Sequence, residues 1–368
     1  MTFLAFQNLW QQKFRLALSI VGVALSMMLI ILLNGFLSGI YVQVTAYLDN
    51  TPADLVVAQD GVTNLLSATS LLPAGAADQA RSVPGVAQVT PIVSQFLIFD
   101  LHDEKIVGYM VGYEPEIGGG PWSLRDGRFP TDDDDVVLDW IMAAKHGFAL
   151  GDTIEILDEE FTVVGLSEGT NSWMASFFFV EKRAAQRILK APGADSFLLL
   201  TLEPDANMVE MRERLDRRLR DMEILPKETM KQNDLDILVQ VFAAPLQMMV
   251  SIAFAVGTAI LGMVIYTATV ERSREYGVLK AVGAKNKHLY WLVTQQGLVT
   301  AVLGAALGIG LAWLTARAIM DNSPTFLVVL EPNAVLTTSV SGLLMGLLAA
   351  LLPARVVAQL DPARVFRK

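Results

Sequence analysis

The chain has 368 residues, 53% of them hydrophobic, with a formal net charge of −10 and no cysteine. A mean hydropathy of +0.44 excludes an all-soluble protein, and the acidic balance disfavours nucleic acid as a partner. Without cysteine there are no disulfides, thiolate metal sites or cysteine nucleophiles, so any domain outside a membrane must fold on its apolar core alone.

Residues 16–48 form the first apolar run, longer than the roughly 20 residues that a spanning helix needs. It also exceeds a signal-peptide core and lacks a following cleavage pattern, so an uncleaved transmembrane helix 1 is expected after a short cytoplasmic N-terminus, 1–15. Gly35-Phe-Leu-Ser-Gly39 in this run is a small-xxx-small pattern that allows close helix approach. Gly35 and Gly39 are therefore expected at a dimer interface.

Residues 49–236 read as an α+β domain. Short apolar strands are expected at 53–58, 83–89, 95–101, 106–112, 136–138, 153–157, 161–166, 176–180 and 197–202, with turn signals such as Asp126-Gly127 and Gly151-Asp152 between them. Helices are expected to end near Arg81 and to cover 182–190 and 208–222. Asp132 to Asp135 is a run of four acids without the spaced ligands of a calcium loop, and reads as a solvated segment. His102, His146 and His288 are scattered and suggest no metal site. Phe177-Phe-Phe179 and Trp173-Met174 read as core strand, with a lipophilic surface as the minority reading.

Three further apolar runs follow, at 237–270, 289–320 and 332–354, giving transmembrane helices 2 to 4 with a short external loop at 321–331 and a tail at 355–368. Gly304 to Gly308 and Gly342 to Gly346 repeat the small-xxx-small pattern and point to a tightly packed bundle. Arg317 near one helix end is expected to pair locally with Asp321, while Gln295 and Gln296 are polar groups that either bond between helices or line a cavity. Lys13 and Arg15, the loop 271–288, and Arg355, Arg364, Arg367 and Lys368 place both termini and that loop in the cytoplasm. Residues 42–241 carry 33 acids against 16 bases, a net of −17, and fall outside.

The loop 271–288 carries five cations, Arg272, Arg274, Lys280, Lys285 and Lys287. Arg274, Val278 and Lys280-Ala281-Val282 stand at near-helical spacing, so a short helix suited to docking on a cytoplasmic partner is expected. Its sequence, Arg272-Ser-Arg-Glu-Tyr-Gly277-Val-Leu-Lys280-Ala-Val-Gly283-Ala, resembles the segment after the second transmembrane helix of MacB/FtsX-type (type VII) ABC transporter permeases. Val83-Pro-Gly-Val, Gly127-Arg-Phe-Pro130, Phe148-Ala-Leu-Gly-Asp-Thr153 and Phe161-Thr-Val-Val-Gly165 are similar to landmarks of the MacB-like periplasmic domain. Leu352-Pro-Ala-Arg355 and Leu360-Asp-Pro-Ala-Arg-Val365 are similar to the family's C-terminal tail.

The resemblance implies an α-helical membrane protein with four transmembrane helices and one α+β extracytoplasmic domain, multi-pass in a bacterial inner membrane. It implies a non-catalytic permease subunit, because the chain has no phosphate loop of the G-x-x-x-x-G-K-[ST] form. ATP and magnesium would then be bound by a separate cytoplasmic ABC ATPase, docked through Arg272, Arg274, Glu275, Gly277, Lys280 and Gly283. Two permease copies, membrane lipid, and a periplasmic adaptor or outer-membrane channel complete the partners the resemblance allows. The implied activity is mechanotransmission that exports or extracts an amphipathic substrate such as a lipid, lipoprotein, haem, drug or peptide. The alternative is a signalling permease that activates a cell-wall hydrolase.

Overall fold

The computed structural model describes residues 13–66, 68–101, 104–172 and 175–359. His102, Trp173, Met174 and the tail from Leu360, with Arg364, Arg367 and Lys368, lie outside the described residues. The chain divides into two compact units, residues 40–241 and residues 1–39 together with 242–368.

The second of these units is helical. It contains the first part of α1 (Lys13–Asp49), then α7 (Ala244–Glu271), α8 (Ser273–Ala281), α9 (Asn286–Asn322) and α10 (Pro332–Ala358). Four helices of the chain are long and apolar enough to cross a membrane, among the described residues. Their outward faces carry Leu25, Met263, Leu314 and Leu352, each about half or more exposed. That is the pattern of helices whose surroundings are as apolar as their interior. Small residues set the packing inside: a Cβ on Gly308 would come within 2.7 Å of the Ala24 carbonyl oxygen, and one on Gly346 within 2.7 Å of the Ala301 Cβ. The glycine patterns of α9 and α10 are thus spent on contacts within this bundle. Arg317 places its guanidinium 5.7 Å over the Trp313 ring rather than pairing with Asp321. The side-chain oxygens of Gln295 and Gln296 are buried without a partner among the described residues.

The α/β unit is built on ten strands: β1 (Leu55–Gln59), β2 (Val86–Leu101), β3 (Glu104–Tyr113), β4 (Leu124–Gly127), β5 (Asp135–Asp139), β6 (Thr153–Ile156), β7 (Glu159–Ser167), β8 (Ser176–Glu181), β9 (Phe197–Leu202) and β10 (Met222–Pro226). Their order is β10-β1-β9-β2-β3-β8-β5-β7-β4, with β6 on β7; only β3–β8 and β5–β7 are parallel. The 16-residue β2 joins the two halves, pairing with β9 through Ile92 and with β3 from Val93 onward. Sequence patterning splits this strand into 83–89 and 95–101. The structure runs it through, with Pro91 one residue before the pairing changes partner.

β5, β8 and β9 are buried on both faces and read as apolar runs, whereas β6 and β7 alternate buried with more exposed residues. Phe177 and Phe179 enter one core with Tyr47, Tyr109 and Phe197, while Phe178 enters another with Phe99, Val136 and Phe161. The Phe177–Phe179 run is therefore core strand, each ring 1% exposed or less. Tyr47, near the end of α1, stacks on Phe177 at 5.9 Å and donates its hydroxyl to the Gly119 carbonyl at 2.7 Å.

The helices α2 (Ala76–Arg81), α3 (Trp140–His146), α4 (Lys182–Ile188), α5 (Met208–Arg218) and α6 (Lys227–Leu238) complete the unit. The helix expected over 208–222 stops at Arg218, because Asp221 adopts a positive φ of 62° and turns the chain into β10. After α6 a π-helical turn, Val239–Ala243, precedes α7.

Asp139 starts α3: its carboxylate accepts from the Ile141 and Met142 amides at 3.0 and 3.3 Å and from Thr170 Oγ1 at 2.8 Å. Burial outweighs these bonds and pushes its pKa from the ordinary 3.8 up to about 6. A raised folded value means that the folded state holds the proton more tightly. This contribution to stability is full below about pH 3.8 and is lost as pH rises through about 6. Asn at this position keeps an accepting oxygen without the charge. Asp139→Asn is therefore expected to raise the melting temperature at pH 7.5 relative to pH 5, compared with the unaltered chain. Equal pH dependence of the two melting curves would show that the carboxylate does not titrate in this range.

Candidate functional site

The loop between α7 and α9 is organised by α8. Arg272 ends α7 with φ −94° and ψ 13°, and its amide bonds back to the Ala268 carbonyl. The α8 face that carries Arg272, Tyr276 and Gly277 is buried, and Tyr276 belongs to the cluster that holds Leu289, Leu292, Ala354 and Val357. Lys280 donates its Nζ to the Ala358 carbonyl at 2.6 Å, which ties α8 to the end of α10. At the far end the Gly283 and Ala284 amides return to the Lys280 and Leu279 carbonyls. Gly283 takes φ +103° in this turn, a conformation that side chains disfavour. No atom of the described residues lies within 4 Å of where its Cβ would stand, so within the chain the glycine serves the backbone angle.

The six residues expected to meet the partner therefore fall into two groups. Arg272, Gly277 and Lys280 face their own bundle. Arg274, Glu275 and Gly283 are exposed, and Glu275 comes within 3.9 Å of Arg272. Patterning missed part of the exposed face: Val278 is 43%, Leu279 41% and Val282 83% exposed, with Arg274, Lys285 and Lys287 around them. An apolar centre rimmed by cations is the anatomy of a protein contact surface. The signal for it was the four-residue spacing of Arg274, Val278 and Val282.

Gly35 and Gly39 do allow close approach, but the approaching backbone is the chain's own. The Val329 amide donates to the Gly35 carbonyl at 2.9 Å. A Cβ on Gly39 would lie 1.7 Å from the Leu327 carbonyl oxygen, and one on Gly35 would lie 3.0 Å from Val328 and Leu330. The segment from Leu327 to Leu330 thus fills the surface that the glycine pattern opens.

In the α/β unit three acids of the run, Asp133, Asp134 and Asp135, are held by arginines. Arg187 meets Asp133, Asp134 and Glu159, and Arg128 forms a 2.7 Å bond to Asp135. That guanidinium and the Thr131 and Asp132 amides hold the Asp135 carboxyl below its usual range against the opposing effect of burial. An apolar cavity of about 290 Å³ in this unit lies among Val44, Phe96, Ala175, Phe177, Asp234 and Leu238.

The family profile of the MacB-like periplasmic core domain matches residues 16–218, and that of the FtsX-like permease C-terminal region matches 247–362. The chain is 24% identical over 370 residues to an uncharacterised ABC transporter permease of Mycobacterium tuberculosis, covering 100% of this chain and 99% of that protein. It is 22% identical to the macrolide export ATP-binding/permease protein MacB of Shewanella oneidensis over 81% of this chain and 49% of that protein. Among solved structures, the periplasmic region of MacB from Actinobacillus actinomycetemcomitans is similar, at 18% identity and a TM-score of 0.39, over 50% of this chain and 94% of that one.

Proposed function

The chain belongs to the MacB/FtsX-type ABC transporter permeases, and from that premise we propose that it couples ATP hydrolysis by a separate subunit to the export or extraction of an amphipathic substrate. Family membership implies an ATPase partner in general terms. The observation that carries the reading further is the exposed face of α8, where Val278, Leu279 and Val282 stand uncovered beside Arg274. The ATPase docks on that face. Arg272, Tyr276 and Lys280 fix α8 to the bundle, so a push on the exposed side is delivered to α7, α9 and α10 rather than absorbed by a loose loop. Charge asymmetry supports the orientation: α8 and both termini are cytoplasmic, and the α/β unit with its net −17 lies on the opposite side. Two permease copies complete the complex. Because the segment from Leu327 to Leu330 covers Gly35 and Gly39, the copies meet on other bundle surfaces, such as the exposed stripe of Leu18, Val21, Leu25 and Leu29 on α1.

The absence of native cysteine makes a single-cysteine experiment clean. With the ATPase present, Val282→Cys and Val278→Cys are expected to cross-link to it, while Gly277→Cys on the buried side does not. Asp133→Cys is expected to react with a membrane-impermeant thiol reagent added outside intact inner-membrane spheroplasts. Reaction of Asp133→Cys only from the cytoplasmic side inverts the topology. Protection of Val282→Cys by lipid, with no link to the ATPase, would assign that face to the membrane surface instead.

A further inference from the structure

Asp234 is 3% exposed, on α6, at the wall of the 290 Å³ cavity in the α/β unit. Its Oδ1 accepts from the Leu65 and Leu66 amides at 3.2 and 3.0 Å, while among the described residues Oδ2 accepts one longer bond, at 3.3 Å, from the same Leu65 amide. A tether of this kind needs one accepting oxygen, and a neutral amide side chain would supply it. The charge is left unexplained, because no lysine or arginine pairs with this carboxylate among the described residues, and burying an unpaired carboxylate is costly. Val44, Phe96, Ala175, Phe177 and Leu238 make most of the remaining wall apolar, and Tyr109 and Ser172 also line it. At roughly 30 Å³ per water-sized group the space takes about ten such groups, enough for one short alkyl chain and too little for a two-chain lipid.

We propose that this cavity binds a single-chain amphipathic primary amine, with its alkyl chain against Phe96 and Phe177 and its ammonium on Asp234 Oδ2. The ammonium supplies both the missing counter-charge and a donor for the oxygen that the backbone tether holds less closely. The cavity lies in the part of the domain formed by the end of α1 and by α6. This assignment deepens the proposed handling of an amphipathic substrate, and rests on that reading only for how the ligand arrives.

The test uses the full chain in lipid nanodiscs and equilibrium binding of radiolabelled decylamine, decanol and decanoate, with empty nanodiscs subtracted. Decylamine is expected to bind about ten-fold more tightly than decanol, and decanoate not detectably above background. Asp234→Asn, which preserves an acceptor for Leu65 and Leu66, is expected to bring decylamine down to the level of decanol. Ala175→Phe, which fills the space, is expected to weaken both ligands. Equal binding of amine and alcohol by the unaltered chain overturns the proposal, as does an amine preference that survives Asp234→Asn. Should Asp234→Asn fail to melt cooperatively, Ala175→Phe decides, and decylamine binding unchanged by it rejects the cavity as the site. Binding without any export would keep this site and remove the transport reading; export without decylamine binding would do the reverse.

Discussion

Asp at both position 278 and position 282 is expected to reduce ATP-driven transport to background while the chain still folds and inserts. Both valines are exposed, at 43% and 83%, so the isolated permease loses no core packing. Exposed substitutions of this kind change stability by about 0.5 kcal/mol or less. A docked ATPase changes the balance, because two carboxylates would have to be desolvated at the centre of the contact. A cost of about 2 kcal/mol for each, near the lower end for buried polar groups, weakens association about a thousand-fold. Co-purification of the ATPase and transport in proteoliposomes measure this directly. Lys285→Asp, at the rim, is expected to slow association with a much smaller effect on the final complex. Transport at the unaltered rate in the Val278→Asp, Val282→Asp variant would exclude the exposed face of α8 as the docking surface.

Gly39→Ile is expected to be the most damaging single substitution in the helical unit. Its Cβ alone would stand 1.7 Å from the Leu327 carbonyl oxygen, a backbone atom that cannot swing aside as the tip of a side chain can. Overpacking of ordinary cores costs about 1–3 kcal/mol, and this collision belongs at or above the top of that range. The segment from Leu327 to Leu330 must leave α1, taking the Val329–Gly35 hydrogen bond with it. Thermal melting of the purified permease and proteolysis within residues 323–331 report the change. Gly310→Ile is a control, since no atom lies within 4 Å of the site of its Cβ. Equal melting temperatures and equal protease resistance for the two variants would rule out the close contact.

The four long helices and the α+β domain were legible because both signals are continuous: long uncharged runs, and short apolar runs broken by turn residues. The buried strands around Phe177–Phe179 read correctly for the same reason, since residues buried on both faces need no alternation. What was lost is what distant residues decide. Met222 reads as the end of a helix, but Asp221 turns the chain and Met222 opens β10. The polar helix α6 looks like surface until Asp234 meets the amides of Leu65 and Leu66, 169 and 168 positions away in sequence. In the segment 271–288 the cations were visible but their directions were not. Arg274 and Lys280 are alike in sequence, yet one is exposed and the other is bound to the Ala358 carbonyl, which belongs to a helix that starts more than fifty residues later. The Gly35 and Gly39 spacing showed that something approaches closely, without showing that it was the chain's own later segment.

The contact between Gly39 and Leu327 also constrains how such a chain can diverge. A residue with any side chain at position 39 requires the backbone at Leu327 to follow another path, and a changed path frees position 39 from glycine. The two places are expected to drift as a pair: sequences of this architecture that keep glycine at 39 should keep the length of the 323–331 segment, while insertions or deletions there should coincide with larger residues at 39. Nearly 290 positions separate them in the chain, so this covariation would stand out as a long-range signal against the local ones that any helix produces.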